Sequence, residues 1–156
     1  MSDRAKNKKP FIDENFGINF MSGWSPLARW ASVIPATILA FIFFKFTIGT
    51  ISILFEHTLP LSLANYLSAI LIYVIYLFTV QMGGAAAPMG SRTKVAATLA
   101  VLISVGFVAL MFSAWTHVEG HDAIILIIQS LAAVLGCATA VLPFIRKNGA
   151  VPTEAK

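Results

Sequence analysis

Two parts of this sequence combine residue types that could do chemistry. The first is His117-Val-Glu-Gly-His-Asp122, where two imidazoles and two carboxylates fall within six residues. Neutral imidazole and carboxylate together suit Zn, Cu or Ni ions, and histidine also titrates near neutrality. With His57, which also falls between two apolar runs, this gives a candidate metal or pH site of His57, His117, Glu119, His121 and Asp122. The plainer reading is a solvated polar loop. No Cys/His pair has the spacing of a structural metal site, and the single cysteine, Cys137, leaves no internal disulfide to form. The sequence requires no cofactor. A divalent metal at this loop is the main candidate its residues suggest, and haem held between two helix ends would call for more histidines, spaced inside helices.

The second part is Lys45, a charge within an otherwise apolar run. A charge at the centre of a bilayer costs about 2.5–3.5 kcal/mol on insertion scales, so a lysine there is a functional candidate by default. At about 1.5 Å per helical residue it lies ~24 Å from Arg29 and ~17 Å from Glu56, well inside a ~30 Å core. Lys45, Gly49, Ser52 and Glu56 recur at helical spacing along one face. The alternative is a lysine that snorkels to the headgroups. Its side chain leans toward the N-terminus of its helix, however, away from the nearer interface. Tyr66, Tyr73 and Tyr76 on the next apolar run, along with Asn65, Ser68 and Gln81, and Gln129 on the last, are further polar groups at membrane depth. Tyrosines there turn their hydroxyls toward protein, which predicts an inward face.

No Asp or Glu lies within any apolar run, and no nucleophile–base pair, phosphate loop or metalloprotease box occurs. The expectation is a protein that is not an enzyme.

These residues are carried by an unusually apolar chain. Of its 156 residues 58% are hydrophobic and 12% charged, against about 45–50% and about 25% in soluble domains. A soluble fold of this length cannot bury so much apolar surface. Residues 30–55 contain only Lys45 as a charge, and 58–91, 95–116 and 123–145 contain no Asp, Glu, Lys or Arg. Each stretch reaches the ~20 residues that cross the hydrocarbon core as a helix. The first is too long for the apolar part of a cleaved leader. The prediction is an all-α membrane protein with four transmembrane helices at about 28–55, 61–82, 93–116 and 122–145 in an up-down bundle.

Local signals set the boundaries. Ser25-Pro26 reads as an N-cap and first helical residue. Pro35 should kink the first helix. Glu56 to Thr58 reads as a tight turn, Gly83-Gly84 as the end of the second helix, Ser91 as a cap for the third and Asp122 for the fourth. The domain reading is a basic, interfacial tail at 1–25, the transmembrane domain at 26–147 and a second tail at 148–156. Residues 11–24 carry Phe11, Ile12, Phe16, Ile18, Phe20, Met21 and Trp24. They read either as a tail resting in the headgroups or as a segment docked on a partner or on the protein's own 83–91 loop.

Lys and Arg sit on one side. Five precede the first helix (Arg4, Lys6, Lys8, Lys9, Arg29), Arg92 and Lys94 lie by the middle loop, and Arg146, Lys147 and Lys156 follow the last helix, which makes ten; the other two loops have none. By the positive-inside rule both termini are cytoplasmic. That expects a multi-pass protein of the bacterial cytoplasmic (inner) membrane. The net charge of +4 follows from this flanking pattern, so nucleic acid is not an expected partner.

Helices associate in lipid through small residues. Ala132, Gly136 and Ala140 give the fourth helix a small face, and Ala96, Ala100 and Ser104 give the third one, which predicts a tight hairpin of helices three and four. Gly106, Ala109 and Ser113 lie on another face of the third. The expected partners are the lipid bilayer and either other membrane subunits or copies of itself. The leading functional expectation is an accessory or scaffold subunit of a larger membrane assembly. The alternatives are a small oligomeric channel, transporter or holin-like pore using Lys45 and the tyrosine face, and a metal or pH sensor using the outer loop.

Overall fold

Ser25 caps the first helix. Its backbone is extended (φ −60°, ψ 152°) and its hydroxyl accepts the Ala28 N–H at 3.3 Å, with Pro26 opening the helix. The cap supplies an acceptor that the helix start lacks. The computed structural model describes residues 11, 12, 17–115, 117 and 120–148, without the side chains of Glu56, His121, Lys147 and Asn148. They form four long helices: α1 (Pro26–Thr58), α2 (Leu61–Ala86), α3 (Arg92–Trp115) and α4 (His121–Asn148). All four are long and apolar enough to cross a membrane. The chain is an all-α, four-span membrane protein, as its charge gaps predict.

Three boundaries differ from the sequence reading. Glu56, His57 and Thr58 continue α1 rather than turning, and the connection is Leu59-Pro60. Asp122 lies in the first turn of α4 instead of capping it, because the chain turns earlier at Gly120 (φ 62°), where the left-handed backbone favours glycine. Gly83 and Gly84 continue α2. A Cβ at Gly83 would strike Thr37 and Leu99, and one at Gly84 would lie 2.9 Å from Ala96 Cβ and 3.0 Å from the Phe144 ring. These glycines let three helices approach α2, which outweighs their poor helix propensity. Pro35 and Pro143 both stay within their helices.

α2 is the hub, packing on α4, α1 and α3, while α3 also packs on α4. In an 18-residue apolar stretch of each helix, 28% of positions are buried in α2 and in α4, against 11% in α1 and 17% in α3. The two flanking helices therefore leave most of their surface to lipid or to another protein. The small face of α4 is a close contact, but its principal partner is α2 rather than α3. A Cβ at Gly136 would run into the Tyr73 carbonyl, with the Leu77 nitrogen at 3.3 Å. Ala140 and Cys137 join Val80, Ala96 and Ala100 in one core cluster, so α3 reaches α4 beside that seam. The Thr93 hydroxyl donates to the Phe144 carbonyl at 3.2 Å. Ala132 is half-buried on the same face.

The start of α1, the end of α4 and the α2–α3 connection share one end of the bundle, called here the terminal end. There the N-terminal segment folds back on the protein. The Ile18 N–H donates to the Ala85 carbonyl at 3.4 Å, and Ile18 and Met21 are buried among Val33, Ala85, Ala86, Ala87 and Val95. Residues 17–24 thus dock on the protein itself, at the end of α2 and the first residue of the α2–α3 connection, while Phe11, Phe20 and Trp24 remain exposed. Arg92, 4% exposed, anchors this end. Its Nε donates to the Ala87 carbonyl at 3.3 Å, and its guanidinium fills the place a side chain at Gly17 would take.

Candidate functional site

α1 and α3 flank α2 without an extensive contact of their own. Between them lies a cleft of about 320 Å³, walled by Thr37, Ile38 and Phe41 of α1 and by Ile103, Gly106, Phe107 and Leu110 of α3, and floored by Tyr76 and Thr79 of α2. The floor is aromatic. Phe41 and Tyr76 have ring centroids 6.0 Å apart, and Tyr76 meets Phe107 edge-on at 5.2 Å, so three rings tie three helices together. Ile38 and Leu110, at 51% and 68% exposure, form the rim. The cleft therefore opens laterally, toward the bilayer.

The cleft's chemistry is apolar with one exception. Thr37 donates its hydroxyl to the Val33 carbonyl and Thr79 to the Ile75 carbonyl, each at 2.7 Å. With those protons held within their own helices, the threonines offer the cleft mainly methyl groups. Gly106 has open space where a Cβ would stand, which leaves room for close backbone approach. Lys45 lies one turn beyond Phe41 and is exposed, with Nζ 5.5 Å from the centre of the Phe41 ring. The side chain leans back toward the N-terminus of α1, as helical geometry dictates. Among the described residues no carboxylate meets it. A cation–π contact is worth about 0.5–2 kcal/mol, below the ~2.5–3.5 kcal/mol for placing the charge at mid-bilayer.

The tyrosines separate. Tyr76 lies in the cleft floor. Tyr73 turns to α4, where its hydroxyl is 2.9 Å from Thr139 Oγ1; Thr139 gives its own proton to Leu135 at 2.8 Å, so Tyr73 is the donor. Tyr66 is 53% exposed and does not share the inward face expected of it. Gln129 is half-buried on α4, away from the cleft lining.

The loop candidates lie at the opposite, distal end. His57 ends α1 and His117 follows α3, where its N–H donates to the Ala114 carbonyl at 3.0 Å. Asp122 is exposed in the first turn of α4. Glu119 lies outside the described residues, as does the side chain of His121. Among the described residues no three His, Cys, Asp or Glu side chains gather in a metal-binding group.

Sequence reasoning found Lys45 because a charge stands out in an apolar run. It missed the cleft, since Phe41, Gly106 and Phe107 are ordinary membrane residues until the fold brings them together. It also took Arg92 only as a topology signal, although Gly17 within an apolar segment hinted at a close approach. No known protein family, no curated protein and no solved structure matches this chain.

Proposed function

We propose that this protein is a non-enzymatic accessory subunit of a larger membrane assembly, receiving a partner's transmembrane helix in the α1–α3 cleft. The observation that carries this reading is the Lys45 ammonium, at membrane depth with no carboxylate among the described residues, beside an apolar cleft with a bare glycine on its wall. A helix with a small face fits such a wall, and an acidic side chain on it would neutralise the lysine. The positive-inside distribution supports a cytoplasmic terminal end in the bacterial inner membrane. The only carboxylates in α1 to α4, Glu56 and Asp122, lie at helix ends and none lies in the interior of a span, which supports binding rather than proton-coupled transport.

The test is affinity purification of the tagged protein in mild detergent, as wild type, Lys45→Met and Gly106→Leu. Foreign subunits in fixed ratio with the wild type, lost from both variants while each variant keeps its melting temperature, are the expected result. Nothing packs where the Gly106 Cβ would stand, and Lys45 is exposed, so neither change should disturb the monomer.

A second reading draws on the same observation. A cation beside a laterally open cleft would also serve a homo-oligomeric pore. It predicts ion flux in proteoliposomes of the pure protein that falls at least tenfold in Lys45→Met. Absence of flux from the wild type removes it.

A further inference from the structure

α1 joins the core at one end only. Before Thr37 it is held firmly. Val33 is buried among Ile18, Met21, Ala85, Ala86 and Val95, and Ala36 packs against them. Beyond Thr37 the holding is looser. The core shared by α2, α3 and α4 contains no α1 residue. Ala40 and Ile48 are buried, and two ring contacts reach α2: Phe41 on Tyr76 at 6.0 Å, and Phe44 stacked on Phe78 at 5.0 Å. Such pairs add only about 0.5–1.5 kcal/mol each beyond their burial. Open space flanks this part of the helix on both sides. The α1–α3 cleft lies on one. On the opposite face a groove of about 480 Å³ runs along Pro35, Leu39 and Phe43, and is lined also by Met21 and Trp24 of the docked N-terminal segment.

The helix is weakest where the two parts meet. Pro35 has no N–H, so the Ala31 carbonyl loses its helical donor. The Ser32 hydroxyl donates to the Arg29 carbonyl at 2.8 Å, and the Thr37 hydroxyl to the Val33 carbonyl at 2.7 Å. Hydroxyls bonded back to the preceding turn bend helices, and proline is the commonest cause of a sharp kink. Thr37 also presses on α2, filling the place that a Cβ at Gly83 would take. The weakened turn thus rests on a fulcrum.

We infer that α1 is a hinged wall of the cleft. Its part beyond Thr37, which carries Lys45, swings about Ser32–Thr37 between the two open spaces and so sets the width of the cleft. That the motion fits the cleft to a partner's helix rests on the function proposed above; the motion itself does not.

The test is double electron–electron resonance on the full-length protein in lipid nanodiscs, in a Cys137→Ala background. One pair of nitroxides is carried by Phe46→Cys and Leu110→Cys, on α1 and α3, at positions 79% and 68% exposed. Phe46 lies about 14 Å beyond Thr37 at ~1.5 Å per residue, so a swing of ~20° moves it by about 5 Å. The reference pair is Leu102→Cys and Leu131→Cys, 63% and 58% exposed on the packed helices α3 and α4. The distance distribution of the first pair should be at least twice as wide as that of the second. Pro35 is exposed, so Pro35→Ala restores a helical donor without entering the core, and it should narrow the first distribution to the width of the second. Ile34→Ala, at a position 66% exposed in the same turn, should leave it at full width. Equal widths for the two pairs in the wild type overturn the inference. So does a first-pair width that Pro35→Ala leaves unchanged, or that Ile34→Ala narrows as much. A twofold width in a protein that co-purifies with no foreign subunit supports the hinge while removing the partner helix, so the two readings fail separately.

Discussion

Gly136 has no room for a side chain, because the Tyr73 carbonyl occupies the space. Backbone cannot yield as the end of a flexible side chain can. Gly136→Leu should therefore cost about 1–3 kcal/mol or more, the range for overpacking a tight interior. It should lower the melting temperature in detergent. Ile127→Leu, at a position 46% exposed, should leave that temperature unchanged; equal shifts would deny the α2–α4 contact. The small residues of α4 were legible because few other residue types permit close approach in lipid. Their partner was not, since small faces on α2 and α3 are chemically alike and only the three-dimensional packing decides. Lys45 was legible by its charge. The aromatic cluster next to it was not, because the Phe41 ring beside its ammonium packs on Tyr76, which in turn meets Phe107, and these two arrive from other helices.

Among the elements, the start of α1 could be read directly, since Ser25-Pro26 acts locally. The end of α2 could not. Gly83-Gly84 would stop a helix in water, but here they are pressed against Thr37, Leu99, Ala96 and Phe144, and tertiary contact overrides propensity. The N-terminal segment was ambiguous for a related reason. It is too short for a periodic pattern, and Ile18 and Met21 look no different in sequence from the exposed Phe20. Their burial, at 2% and 6% exposure, makes the segment part of the bundle's terminal end. Burying a large apolar side chain is worth about 1.5–3 kcal/mol, and a buried unpaired carboxylate is worse. Ile18→Asp should thus undock the segment and raise protease cleavage between Ile18 and Trp24 by about tenfold or more, with helical circular dichroism unchanged. Cleavage at the wild-type rate would show that the docking contributes nothing.

At the scale of the molecule, α2 and α4 form a packed pair flanked by two helices that leave most of their surface open. Number and class of helix were legible, because a span needs only length and the absence of charge, while the ends of α1 and α2 were not. Orientation rests on the sequence positions of ten Lys/Arg, which flank the start of α1, the α2–α3 connection and the end of α4, with none in the other two connections. Reporter fusions after Lys147 should be active in the cytoplasm and those near Gly120 outside; the reverse would overturn the charge argument. The central claim is that the open α1–α3 cleft receives a partner helix neutralised against Lys45. The most direct measurement is the subunit composition of complexes purified in mild detergent with wild-type and Lys45→Met protein, expressed at native level. The account predicts a foreign membrane subunit in fixed ratio with the wild type, bearing an intramembrane Asp or Glu, and its loss from a normally inserted and equally stable Lys45→Met. The same composition from both proteins, or a wild type that purifies alone, would contradict it.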